Sequence, residues 1–155
     1  MSEVKLRPAD PDDADTLSGL ALRSKGHWGY DQQFLEACRE ELTVSPARCD
    51  GQNVYVAERE GDLVGFFELG GKPPAGTLDK LYVAPCAIGS GVGTVLLASA
   101  RRIALGAGFE WLTIDADPNA KGFYARSGAR LVGSTESGSI AGRQLPQLLW
   151  NTREG

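Results

Sequence analysis

A strand that must stop, three alternate glycines and a helix that must start follow one another within residues 81–97, LYVAPCAIGSGVGTVLL. Leu81, Tyr82 and Val83 form an apolar run suited to a buried strand. Pro85 ends that strand, because proline has no N–H to give a ladder. Gly89, Gly91 and Gly93 follow. Beyond them Val92, Val95, Leu96 and Ile103 recur at helical spacing, which places the glycines on a strand-to-helix turn. A helix start leaves amide groups unpaired and carries the positive end of the peptide dipoles. Glycine has no Cβ to keep an anion away from that end. The turn is therefore built like an anion site, and phosphate suits it. The structural alternative is that the glycines only tighten the turn and let the helix pack closely.

Of two nucleotide-binding patterns, one fails and the other matches only weakly. The hydrolase loop GxxxxGK[ST] needs a lysine, and the residue after Gly93 is Thr94. The dinucleotide pattern GxGxxG belongs near the start of a βαβ unit with an acid about 20 residues later. Here the spacing is GxGxG in mid-chain, and beyond the helix only Asp115 and Asp117 offer an acid.

The remaining residues predict one domain over residues 1–155 with a mixed α/β sheet. Residues 3–7 alternate as a short strand. Asp10 caps a helix with Pro11 at its first position, and Leu17, Leu20 and Ala21 give it an apolar face. Residues 24–30, SKGHWGY, interrupt it, and Asp31 caps a second helix carrying Phe34, Leu35, Cys38 and Leu42. Residues 53–58 and 63–69 form a hairpin with a glycine turn. Residues 70–76 read as a Gly/Pro loop before a strand over 77–83. After the long helix come a strand at 111–116, a helix opened by Asp117-Pro118, and strands at 130–133 and 144–150, the last two separated by a loop at 135–142. The order is β-α-α-β-β-β-α-β-α-β-β. Three consecutive strands exclude a purely doubly wound parallel sheet and favour a mixed sheet with helices on both faces.

A net charge of −4 argues against a general nucleic-acid or anionic-membrane binder. No apolar run reaches about 18 residues, and the first residues lack the apolar core of a signal peptide. Cys38, Cys49 and Cys86 with a single histidine form neither a disulfide framework nor a zinc site, so no metal is expected and the compartment reads as cytoplasmic.

Two motifs carry a resemblance. Residues 81–93 follow an L-Y-V-x-P strand with the glycines of [Q/R]-x-x-G-x-[G/A], although Cys86, Ala87 or Ile88 stands where Gln or Arg is usual. Residues 117–129, DPNAKGFYARSGA, are similar to a later motif and supply its Asn119, Phe123, Tyr124 and Gly128, with Ala129 replacing a bulky aromatic. Together with the element order, these resemble the GNAT superfamily of N-acetyltransferases. The resemblance implies a GNAT fold whose fourth and fifth strands splay around the thioester of acetyl-coenzyme A.

It also implies roles. Acetyl transfer to an amine needs a held coenzyme, a polarised carbonyl, a neutral amine and stabilisation of the departing thiolate. Residues Ile88, Gly89, Ser90, Gly91, Val92, Gly93 and Thr94 would hold the diphosphate. The strand backbone at Leu81, Tyr82 and Val83 would align the pantetheine arm, with Asn119 and Phe123 beside the coenzyme. Tyr124 would protonate the thiolate, or else merely pack beside Phe123. The family often places a glutamate where this chain has Thr77. Asp79, on the same strand face as Thr77, and Glu68, on the preceding strand, are the remaining candidate bases. Each is otherwise a solvated carboxylate or the partner of a cation such as Lys80.

His27, Trp28, Tyr30 and Arg143 lie where the family selects its acceptor. Aromatic faces there suit a cationic amine. Trp28 and Tyr30 are otherwise a packing plug between helices, His27 a surface residue, and Arg143 a partner of Glu136. The expected activity is acetyl transfer from acetyl-CoA to a primary amine of a small molecule, peptide or protein. The partners are acetyl-CoA and an amine, with a homodimer by family habit. The alternative is a non-catalytic acyl-CoA sensor or regulatory module.

Overall fold

The computed structural model describes residues 3–153. Its elements run β1 (Lys5–Pro8), α1 (Ala14–Gly26), α2 (Gln32–Leu42), β2 (Val54–Arg59), β3 (Asp62–Lys72), β4 (Ala75–Val83), α3 (Val92–Gly106), β5 (Trp111–Asp115), α4 (Lys121–Arg126), β6 (Arg130–Glu136) and β7 (Gln144–Asn151). This is the expected order. The strands form one mixed sheet in the order β1-β2-β3-β4-β5-β7-β6. By backbone contacts the chain divides into two compact units, residues 1–68 with 80–100 and residues 69–79 with 101–155.

In the first unit, β1 pairs antiparallel with β2, Lys5 opposite Glu58, and β2 pairs antiparallel with β3, Val54 opposite Glu68. The β2–β3 turn is the two residues Glu60 and Gly61, both at positive φ (55° and 84°). Such a turn matches the twist of its flanking strands. Phe66, Phe67, Leu17, Leu20, Leu42, Val54, Val56 and Leu96 are fully buried. Asp31 caps α2 as expected, its Oδ1 accepting from the Phe34 amide at 2.8 Å. Residues 24–26 continue α1 rather than break it; glycine weakens a helix without ending one, and Gly26 admits the Leu35 side chain close to its Cα.

Gly65 fixes how closely α3 approaches the sheet. A Cβ there would lie 2.8 Å from Leu96 Cδ1 and 2.9 Å from the Tyr82 carbonyl oxygen. Gly65→Ala is therefore expected to destabilise the protein by about 1–3 kcal/mol through overpacking. A thermal melt checks this, and an unchanged midpoint would mean that α3 is free to shift.

In the second unit, β4 and β5 run parallel at Ala75–Trp111, Gly76–Leu112 and Thr77–Thr113, while β5–β7 and β7–β6 are antiparallel. Leu112, Ile114, Leu148 and Trp150 are buried. The loop expected at 70–76 is mostly strand: β3 reaches Lys72, β4 starts at Ala75, and only Pro73 and Pro74 turn. The glycines there serve close approach. A Cβ on Gly76 would sit 2.6 Å from the Gly70 carbonyl oxygen and 2.7 Å from Phe109 Cδ1. β6 is also longer than expected, running to Glu136 because residues 133–136 pair with residues 144–147 of β7.

Candidate active site

The glycine turn lies wholly in the first unit. After the single turn Pro85–Ala87, Ile88 is extended, Gly89 and Gly91 take φ of 85° and 92°, and α3 begins at Val92. These positive φ values favour glycine, and nothing stands within 4 Å of either missing Cβ. The Ile88 and Ser90 amides are spent on the carbonyls of Pro85 and Ala87 (3.4 and 3.1 Å). The first bond of the helix runs from the Val95 amide to the Gly91 oxygen at 3.1 Å. Val92, Gly93 and Thr94 thus head the helix with amides that have no intrahelical acceptor. Open space, glycine backbone and outward amides fit a phosphate, and the positive dipole end favours its charge. Leu81, Tyr82 and Val83 of β4, leading into the turn, are half-buried.

Glu68 is 5% exposed, so its charge must be compensated within the unit. Lys80 Nζ meets its Oε1 at 3.2 Å and Arg48 Nε its Oε2 at 3.1 Å. The cross-strand partner expected for this residue is present, and Arg48 adds a second. Also in this unit, His27 and Trp28 follow α1, exposed and edge-to-face with ring centroids 5.5 Å apart. Trp28 is 46% exposed and so plugs nothing. Tyr30 stacks on Phe34 at 4.1 Å, and the buried Lys25 sets its Nζ 5.5 Å from the Tyr30 ring centre. The cation over that aromatic face belongs to the chain itself.

The second unit holds the other sequence-predicted residues. Tyr124 is 6% exposed on α4, edge-to-face with Phe123 at 5.2 Å. Burial first, and the negative charge of Asp117 second, push its hydroxyl well above the usual tyrosine range. Asp117 organises this end of the helix. Its Oδ1 accepts from the backbone amide and side-chain amide of the exposed Asn119 at 2.9 and 3.0 Å. Its Oδ2 accepts from Arg143 Nη2 at 3.4 Å. Arg143 therefore pairs with Asp117 and not with Glu136, whose Oε1 instead accepts from the Gly142 amide at 3.2 Å. The swap follows from β6 reaching Glu136, which turns that carboxylate to the hairpin loop.

Asp79 is exposed on β4. Its Oδ2 and Thr77 Oγ1 occupy the space over the Cα of Gly70, so both side chains share a face as period-two alternation requires.

Sequence reasoning missed three contributors. Arg48 reaches Glu68 from 20 residues away and Arg59 reaches Ser90 from 31 residues away, and no local pattern signals either. Lys25 filling the aromatic face was legible only as a basic residue near Tyr30. Among the described residues no group of three or more His, Cys, Asp or Glu is placed to hold a metal ion, and no helix is long and apolar enough to cross a membrane.

The family model of the Acetyltransferase (GNAT) domain matches residues 50–128, which contain the hairpin, the glycine turn, α3 and Tyr124. The chain belongs to the GNAT acetyltransferases and is an acyltransferase. Among individual proteins, it is 30% identical over 154 residues to aminoglycoside N(6′)-acetyltransferase type 1 of Stenotrophomonas maltophilia, covering 94% of this chain and 95% of that one. A crystal structure from Rhodopseudomonas palustris, described as a GCN5-related N-acetyltransferase and as a class-II aminotransferase, is 29% identical with a TM-score of 0.79, covering 97% of each chain. The PaiA N-acetyltransferase of Thermoplasma acidophilum, solved in complex with coenzyme A, is 19% identical with a TM-score of 0.76 over 96% of this chain and 99% of that one, a likeness of fold.

Proposed function

We propose that the protein transfers the acetyl group of acetyl-CoA to a primary amine of a small molecule, peptide or protein by direct attack. The observation that carries this reading is the glycine turn opening α3, with its outward amides and open space at Gly89 and Gly91. Gly89 and Gly91 admit the diphosphate, and the amides of Val92, Gly93 and Thr94 bind it. The backbone of residues 81–83 aligns the pantetheine arm, with Asn119 and Phe123 beside the coenzyme. As the amine nitrogen attacks the thioester carbonyl, the C–S bond breaks. The amine gives up a proton, and Tyr124 donates to the departing sulfur.

Of the two candidate bases, Asp79 is the better one. Both oxygens of Glu68 already meet cations, Arg48 and Lys80, and a carboxylate held between two cations is poorly placed to reach an incoming amine. Asp79 is exposed and has no such pair among the described residues. Asp79→Asn is expected to lower kcat/KM by roughly a hundredfold. Glu68→Gln should keep most of the activity and lose about 2 kcal/mol of stability, because Lys80 and Arg48 then lack their counter-charge. Steady-state kinetics and melts of the two variants check this; a roughly hundredfold loss in Glu68→Gln with Asp79→Asn unaffected would reverse the assignment.

His27, Trp28, Tyr30 and Arg143 are offered as acceptor contacts. The acceptor named for the Stenotrophomonas relative puts aminoglycosides first in a panel that also holds polyamines, amino acids and short peptides. The exposed free thiol of Cys86 supports a cytoplasmic setting. The edge strand β6, with Leu131 and Val132 about half exposed, supports a homodimer. Calorimetric titration with acetyl-CoA, then thiol release across the panel, tests the function. Thiol release dependent on one amine class supports it, and absence of coenzyme binding overturns it.

A further inference from the structure

We propose that Arg59 is a phosphate ligand of the coenzyme, supplying the cation that the glycine turn itself lacks; this rests on the coenzyme-binding reading above. Residues 84–100, which span the turn and most of α3, contain no charged side chain. A coenzyme with a diphosphate and a third phosphate carries several negative charges. Backbone amides can bind these oxygens without neutralising them.

Arg59 is placed for that task by the hairpin. It is the last residue of β2, just before the tight Glu60-Gly61 turn, with its Cα opposite that of Asp62. Its guanidinium nevertheless makes no ion pair with a carboxylate among the described residues. Instead Nη2 reaches across to the turn and donates to Ser90 Oγ at 3.4 Å. Ser90 in turn donates its hydroxyl proton to the Ala87 oxygen, so its oxygen lone pairs face the guanidinium. A neutral hydroxyl at that distance leaves the charge unbalanced and most of the five N–H donors of arginine unused. A phosphate would satisfy both, because the planar guanidinium fork matches two phosphate oxygens. Ser90 thus holds at the turn, from the end of β2, the positive charge that a loop Arg would carry at Cys86, Ala87 or Ile88.

The test compares wild type, Arg59→Gln and Arg59→Lys by calorimetry with CoA and with dephospho-CoA. Each protein is also assayed with acetyl-pantetheine, a donor without phosphate, and each fold is verified by a melt. Arg59→Gln is expected to raise the CoA dissociation constant roughly tenfold, about 1.4 kcal/mol. Arg59→Lys should recover part of that loss, and the gap should narrow as salt rises. Equal loss with both ligands assigns Arg59 to the diphosphate; loss with CoA alone assigns it to the third phosphate. Wild-type CoA binding with unchanged affinity in folded Arg59→Gln overturns the proposal and leaves the coenzyme reading intact. An equal drop in turnover with acetyl-pantetheine also overturns it, because that donor has no phosphate to lose. If the wild type does not bind CoA, the coenzyme reading fails and the proposal falls with it.

Discussion

Tyr124→Phe is expected to lower kcat roughly a hundredfold or more while the coenzyme dissociation constant hardly moves. The ring stays where packing puts it. Tyr124 is buried against Phe123, and its carbonyl oxygen accepts from the Ser127 and Ala129 amides at 3.1 Å each, closing α4. Phenylalanine keeps all of this and removes only the hydroxyl. The hydroxyl is suited to donate, because burial and the Asp117 carboxylate both oppose its ionisation. It therefore holds its proton through the neutral range and past the ordinary tyrosine value of about 10. A donor that stays loaded lets the rate follow the amine and its base, so the alkaline limb should not come from Tyr124. Matched losses of binding and turnover would make Tyr124 a packing residue.

The same shift sets a sign for stability. The folded chain keeps the Tyr124 proton at a pH where the unfolded chain releases it. Below about pH 10 both states hold it and the group is neutral in the balance. Above that the unfolded state binds fewer protons and is favoured, so stability falls as pH rises. Tyr124→Phe should show a shallower alkaline decline in melting temperature between about pH 9 and 11. Parallel curves for the two proteins would contradict the direction of the shift.

The fold was legible because local signals agreed. Pro85, the alternate glycines and the helical spacing of Val92, Val95 and Leu96 point to one strand–turn–helix unit, and the cap at Asp31 and the Glu60-Gly61 turn stand where their chemistry requires. β3 and β4 were misjudged because their glycines serve neighbours rather than turns. Gly70 and Gly76 look like loop punctuation, but Asp79 and Phe109 fill the space their side chains would take, and only tertiary packing reveals that. Charge pairing was the least legible part. Glu68 with Arg48, Arg143 with Asp117 and Arg59 with Ser90 join residues 20 to 31 positions apart. Periodicity says which face a residue takes and nothing about which distant cation will meet it. The placing of Tyr124 on a helix came from the Asp117-Pro118 start signal, and its burial from the fold.

Gly91→Asp is expected to abolish coenzyme binding at ordinary concentrations while the protein still folds. No atom lies within 4 Å of the position its Cβ would take, so the side chain meets no steric obstacle. The backbone resists at φ 92°, a cost of about 1 kcal/mol or somewhat more for a residue other than glycine. A carboxylate at a helix start is otherwise favourable, which works against unfolding. That same carboxylate occupies the approach to the Val92, Gly93 and Thr94 amides. At an effective dielectric near 20, two like charges about 5 Å apart repel by roughly 3 kcal/mol. That is more than a hundredfold in affinity before steric exclusion is added. Gly91→Asn separates the causes, because it has nearly the same shape without the charge and asparagine tolerates positive φ. Asparagine should retain measurable binding where aspartate does not, with the difference shrinking in high salt. Equal loss in the two variants would make bulk or backbone strain the cause. Unchanged CoA affinity in folded Gly91→Asp would move the diphosphate away from this turn, and with it the main support for acetyl-CoA as donor.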